Sequence, residues 1–175
     1  MKLEIGCGGN EDFPYLTRGD INIDIQKPRE HVPNFVLADA HELPLRSHTF
    51  DEVEASHIIE HLDCPKHSLS EWNRVLKKGG TVVVETPNAL FLLKFLRAAK
   101  KGIYAVHKDH IFTFGYPELK QLLESAGFED IIIEYTTTRK SAQKRIEKLL
   151  LKFFFAFSAI RNENMTAIAK KPRSP

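Results

Sequence analysis

The chain has 175 residues, about the span of one domain, and its 42% hydrophobic, 27% charged and 10% aromatic content is that of a globular protein, which excludes wholesale disorder and disfavours two full domains. Lys plus Arg number 25 against 23 for Asp plus Glu, and a net charge of +2 supplies no global basic field. Cys7 and Cys64 are too few for a disulfide framework and sit in no metal-type spacing, so a reducing, cytoplasmic setting is expected. No secretory signal is read at the N-terminus. The longest apolar run, 149–157, falls well short of the roughly 20 residues that cross a bilayer. A single domain is expected over 1–175, with 170–175 as a flexible tail.

The elements alternate along the chain. Residues 3–5 predict a first strand that breaks into Gly6-Cys7-Gly8-Gly9-Asn10. Ile21, Ile23 and Ile25 alternate with Asn22 and Asp24 in a second strand, and Phe35, Val36 and Leu37 lead a third into Asp39. Residues 50–55 predict a fourth strand, 64–76 a helix with Pro65 in its first turn, and 81–85 a fifth strand after the Gly79-Gly80 turn. Helices follow over 89–101 and 117–126, the second ended by Gly127. A sixth strand over 131–135, a long helix over 141–160 and a last strand over 166–169 complete the order. Strands alternating with helices argue an α/β sheet whose ligands gather at the carboxyl ends of the strands. Only about a dozen residues join the glycine loop to the second strand, and Pro14 and Gly19 interrupt them, so the first crossover is expected to be a turn or loop.

Glu4-x-Gly6-x-Gly8-Gly9 stands at a strand end, and Asp24 stands at the end of the next strand. Backbone bared of side chains admits a ligand closely, and a carboxylate on the neighbouring strand can accept both hydroxyls of a ribose, so a nucleoside site is implied. The dinucleotide fingerprint fails because Glu11 stands where its third glycine belongs, and a phosphate-binding Gly-Lys-Ser/Thr is missing.

Across 2–136 the sequence resembles the class I S-adenosylmethionine-dependent methyltransferases, in the ubiquinone-biosynthesis-like group called methyltransferase type 11. The resemblance is carried in order by Leu3-Glu4-Ile5-Gly6-Cys7-Gly8-Gly9, Asp24, Asp39-Ala40, Phe50-Asp51-Glu52-Val53 running into Ser56-His57-Ile58-Ile59-Glu60-His61-Leu62, Arg74-Val75-Leu76-Lys77-Lys78-Gly79-Gly80-Thr81, and His110 with Phe112 and Gly127-Phe128. The third glycine sits at Gly9 where the fullest form of the motif has it at Asn10. The resemblance implies a Rossmann-like sheet of seven strands, the last antiparallel, with helices on both faces. It implies S-adenosylmethionine as cofactor, with Glu4, Gly6, Cys7 and Gly8 at the amino-acid end, Asp24 and Ile25 at the ribose, Asp39 and Ala40 at the adenine, and Ser56 and His57 beside the sulfonium. Members of the group usually carry helices ahead of the first strand. Here that strand begins near Lys2, so an N-terminally truncated form is expected, its open site completed by a second copy, a partner protein or a large acceptor.

Methyl transfer from a sulfonium is an in-line displacement, which needs alignment of donor and acceptor and, for a protonated acceptor, a base. His57 and His61, four apart after the fourth strand, are the candidate catalytic residues; capping or packing is the competing role. A His-Glu-x-x-His metal pattern fails at Ile58 and no third ligand is evident, so no metal is expected. His110 and Tyr116 are candidates for an acceptor pocket, although His110 can instead fix its loop, and Asn88 reads as a helix N-cap. A non-catalytic cofactor-binding or partner subunit is the alternative function. Nucleic acid as acceptor is the weaker expectation, resting on Arg139, Lys140, Lys144, Arg145, Lys148 and Lys152 in the late helix, whose apolar face of Ile146, Leu149, Leu150, Phe153, Phe154 and Phe157 is expected to cover the sheet.

Overall fold

The computed structural model describes residues 1–8, 18–29, 31–91, 109–136 and 162–173. Seven strands form one sheet: β1 (Lys2–Ile5), β2 (Ile21–Asp24), β3 (Phe35–Leu37), β4 (Phe50–Ser56), β5 (Leu76–Pro87), β6 (Glu129–Thr136) and β7 (Asn164–Lys170), in the spatial order β3-β2-β1-β4-β5-β7-β6. The first five run parallel, and β7 inserts antiparallel between β5 and β6. This is the class I methyltransferase sheet that the motif order implies. After β3 the chain crosses back to lay β4 on the other side of β1, so the strand order reverses between β1 and β4, and it is at the carboxyl ends beside such a reversal that open α/β sheets form a ligand crevice.

The core lies against one face of the central strands: Leu3, Ile5, Val53, Ala55, Val82 and Val84 share that face and are all fully buried, while Glu52, Glu54, Thr81, Val83 and Glu85 alternate with them on the other, part-buried face. The helix α1 (Pro65–Val75) starts with proline, whose missing N–H is no loss in a first turn, and turns Leu69, Trp72 and Val75 into the core. The helix α2 (Tyr116–Ser125) buries Leu119 and Leu123, and the Glu118 carboxylate accepts the Gly115 amide at 3.1 Å to cap its start. Asn73 of α1 donates to the carbonyls of Ala126 and Gly127, which ties the two helices together.

Three boundaries differ from the sequence reading. β2 stops at Asp24, and Ile25, taken as the third apolar residue of the alternation, is 66% exposed. β5 starts at Leu76, five residues before the predicted Thr81, because Leu76 pairs with Phe50 and the chain then bends through Gly79 at φ +76° without leaving the sheet. The segment that carries His57 and His61, whose spacing by four suits one face of a helix, forms a single 3₁₀ turn, Ile59–His61, ahead of α1. The expected helix over 141–160, with its basic and apolar faces, lies outside the described residues, as do the first crossover from 9 to 17 and the expected helix over 89–101 beyond Phe91. No helix among the described residues is long and apolar enough to cross a membrane.

Candidate functional site

The turn after β1 lies at the reversal point. Gly6 has φ +78°, and a Cβ on it would come within 3.0 Å of Ile58 Cδ1, so the turn that follows β4 packs directly over the glycine loop. The Gly6 and Cys7 amides both donate to the Ile23 carbonyl, at 2.9 and 3.1 Å, which moors the loop to β2. Cys7 is buried, and burial pushes its thiol up to about 12. Gly8 donates its amide to Asp24 Oδ2 at 2.9 Å, and a Cβ at Gly8 would lie 3.0 Å from Asp24 Cγ.

Asp24 also accepts the Gln26 amide through Oδ1 at 2.8 Å. A carboxylate offers about four lone-pair sites, so two are engaged by backbone and about two stay available to hydroxyls of a ligand. Asp39, at the end of the neighbouring β3, accepts both the backbone amide and the Nδ1 of His41 on its Oδ1, at 2.9 and 2.7 Å, and those bonds hold its carboxyl below the usual range. Ala40 is buried, and its carbonyl accepts the Trp72 indole N–H at 3.1 Å. Ile25 and Leu37, at the ends of β2 and β3, leave apolar surface 66% and 61% exposed beside these acids. Bare glycine backbone, a strand-end carboxylate with spare acceptor capacity and flanking apolar side chains fit an adenosine.

Glu4 lies beneath the loop. It is fully buried, neither carboxylate oxygen has a hydrogen bond, and burial, reinforced by the charge of Glu54 against the opposing pull of Arg18 and Lys2, pushes it up to about 8. Its side chain belongs to the interior of the fold, where a Cβ at Gly19 would stand 3.0 Å from Glu4 Cβ.

On the other side of the crevice, Ser56 ends β4 and donates to Glu85 Oε2 at 3.1 Å. His57 follows with φ 55°, a left-handed conformation that swings its ring between two carboxylates, Glu60 Oε1 at 3.5 Å from Nδ1 and Glu85 Oε1 at 3.8 Å from Nε2. Burial acts to lower His57, but the two carboxylates outweigh it and hold the imidazole up at about 9, while His57 in turn lowers Glu60 and Glu85. Asn164, at the start of β7, donates to Glu85 Oε1 at 2.9 Å.

His61 points elsewhere. One 3₁₀ turn does not bring residues four apart onto a common face, and His61 Nδ1 lies 2.9 Å from the Asp109 carbonyl, with its ring edge-on to His110 at 4.6 Å between centroids. His110 therefore meets His61, and Tyr116, 38% exposed, opens α2 some way along the chain. Asn88 accepts the Leu90 amide on its side-chain oxygen at 3.0 Å, as a cap does, and its amide nitrogen donates to the Asn162 carbonyl.

Sequence reasoning missed Glu60, Glu85 and Asn164 as site residues. Glu85 carried the same signal as Asp24, an acid closing an apolar strand, and Glu60 stood inside the quoted 56–62 segment. Asn164 had no such signal, because only the antiparallel insertion of β7 brings it to this end of the sheet.

Comparison with known proteins agrees with this geometry. Residues 3–84 match the family described as "Methyltransferase domain". The chain is similar to a probable S-adenosylmethionine-dependent methyltransferase of Mycolicibacterium smegmatis, 32% identical over 140 residues that cover 73% of this chain and 51% of that protein. It is also similar to the ubiquinone/menaquinone biosynthesis C-methyltransferase UbiE of Campylobacter jejuni, 35% identical over 101 residues that cover 57% of this chain and 37% of that protein. The matched stretch thus spans about half or less of the length of these two curated relatives. Among solved structures, a SAM-dependent methyltransferase from Archaeoglobus fulgidus superposes with a TM-score of 0.68 at 24% identity, over 97% of this chain and 85% of that one, and shares the fold. The chain is thus similar to S-adenosylmethionine-dependent methyltransferases in sequence and shares their fold.

Proposed function

We propose that this chain transfers a methyl group from S-adenosylmethionine to an oxygen, nitrogen or carbon acceptor. The observation that carries the reading is the joint position of Gly8 and Asp24, bonded to each other at the point where the sheet reverses. When bound, the cofactor supplies a methyl group activated by a sulfonium. The chain's residues supply binding and alignment: Asp24 accepts the ribose hydroxyls on its spare lone pairs, Gly6, Cys7 and Gly8 line the amino-acid end, and Asp39 with Ala40, Ile25 and Leu37 walls the adenine.

The acceptor end is built by Ser56, His57 and Glu85, which lie at the carboxyl ends of β4 and β5. His57 is assigned as a positioning residue here, its ring fixed by two carboxylates and 41% exposed at its side chain, so it can meet an acceptor. Alignment of a nucleophile at near-attack distance is the main demand of an in-line displacement, and a ring held from two sides meets it better than a free rotor. Acceptor identity is tested by release of labelled methyl from S-adenosylmethionine against cell extract split into small molecules, protein and RNA. Label in one fraction identifies the acceptor class. Binding of the cofactor without label in any fraction overturns methyl transfer in favour of a non-catalytic binding subunit.

A further inference from the structure

Behind the acceptor end, the turn after β4 meets the segment 109–112 in a contact that methyl transfer does not use. The Glu60 carbonyl accepts the amides of Ile111 and Phe112, at 2.9 and 3.0 Å, and so brings His110 beside His61. One ligand atom from each of Glu60, His61 and His110 lies within 4.8 Å of the other two, and they form such a group among the described residues although 49 positions separate the two histidines in sequence.

Each of two side chains is oriented by a second group in the manner of a metal ligand. Because the Asp109 carbonyl can only accept, His61 Nδ1 carries the proton, and Nε2 presents its lone pair. Glu60 is 1% exposed, its Oε2 is fixed by the Thr86 hydroxyl at 3.0 Å, and its Oε1 is buried with no hydrogen bond. A buried carboxylate oxygen left without a donor is costly, and the His57 ring at 3.5 Å offsets that only as a charge. Moreover, Glu60 and Glu85 share one imidazole, so at least one negative charge stays uncompensated within the Glu60–His57–Glu85 group.

We propose that Glu60, His61 and His110 bind a divalent first-row transition cation. Two imidazole nitrogens and one carboxylate suit zinc, cobalt or iron(II) better than magnesium or calcium, which favour all-oxygen sites. Three protein donors leave coordination positions for water or for an oxygen of a small molecule. The ion clamps the segment 109–112 onto the turn after β4. The site shares Glu60 with the acceptor end, where the same carboxylate holds His57, but metal binding is read without methyl transfer. A regular His-Glu-x-x-His pattern was the wrong template, since the third ligand comes from a segment that the fold, not the spacing, brings near.

The test is titration of cobalt(II) into the untagged full chain after removal of metal by a chelator, read by the visible d–d absorption of the bound ion and by competition with zinc. The expected result is one equivalent bound per chain, with the ion displaced by zinc and affinity reduced by well over about tenfold in Glu60→Gln, His61→Gln and His110→Gln. Thr86→Val, which removes only the hydroxyl that orients Glu60, is expected to weaken cobalt by about 10- to 100-fold, and it decides the question if a ligand variant fails to fold. No stoichiometric cobalt spectrum in the parent overturns the proposal, and so does unchanged cobalt affinity in the folded variants.

Discussion

Asp24 Oδ2 accepts the Gly8 amide at 2.9 Å, so the loop after the first strand and the end of the second are fixed to each other before any ligand binds. A Cβ at this position would stand 3.0 Å from Asp24 Cγ, closer than ordinary van der Waals contact, so a larger residue must push the carboxylate aside. Gly8→Val is expected to displace the carboxylate and reduce affinity for S-adenosylhomocysteine by at least about tenfold. The half-exposed loop should leave the melting temperature of the ligand-free chain nearly unchanged. A thermal-shift titration of parent and variant checks both parts.

Glu4 makes stability depend on pH. Its folded value of about 8 stands above its ordinary 4.5, so between these values the folded chain keeps a proton that the unfolded chain has released. Stability is therefore full below the unfolded value and falls as pH rises through this window, levelling above about 8. Glu4→Gln is expected to flatten that decline, gaining stability relative to the parent at about pH 9 and little at about pH 5. Urea denaturation at the two pH values reads the difference, and a variant whose slope matches the parent's contradicts it.

Trp72 links the core to the adenine side. Its ring is fully buried, and its N–H satisfies the Ala40 carbonyl at 3.1 Å. Trp72→Phe keeps most of the apolar volume but leaves that carbonyl without its donor, at an expected cost of about 1–3 kcal/mol in unfolding free energy. Trp72→Ala adds a cavity and should cost about 3–5 kcal/mol. Denaturant melts of both variants give the two values; a Phe variant as costly as the Ala variant places the effect in the lost hydrogen bond, and a neutral Phe variant places it in packing alone.

His57→Gln keeps a polar side chain of similar reach while removing the ring held by Glu60 and Glu85. Misplaced alignment costs on the order of 10²-fold in rate, so turnover should fall by about that factor while affinity for the donor product stays within a few-fold. Turnover that survives within a few-fold removes His57 from the acceptor end.

What the sequence disclosed and what it withheld have separate physical causes. The parallel strands were legible because they are rich in β-branched and apolar residues such as Val82, Val83 and Val84, and the strand-end acids Asp24 and Asp39 stood out against them. Ile25 was misread because alternation continues in sequence for one residue after the ladder ends at the Asp24–Leu37 pair. Leu76 was assigned to the helix because its apolar side chain fits both the α1 periodicity and the pairing with Phe50, and only the tertiary register decides between them. The His57–Glu60–Glu85–Asn164 group could not be read at all as a unit, since it joins the ends of β4 and β5 to the start of β7, residues up to 107 positions apart.

The central claim is that S-adenosylmethionine binds at the crevice where Asp24 closes on Gly8, and calorimetric titration of the full chain with S-adenosylhomocysteine tests it most directly. The account predicts one site per chain, weakened by about 1.5–3 kcal/mol in Asp24→Ala through loss of charge-assisted hydrogen bonds to the ribose. No heat of binding to the parent contradicts the account, and equal affinity in parent and Asp24→Ala moves the ligand away from this crevice.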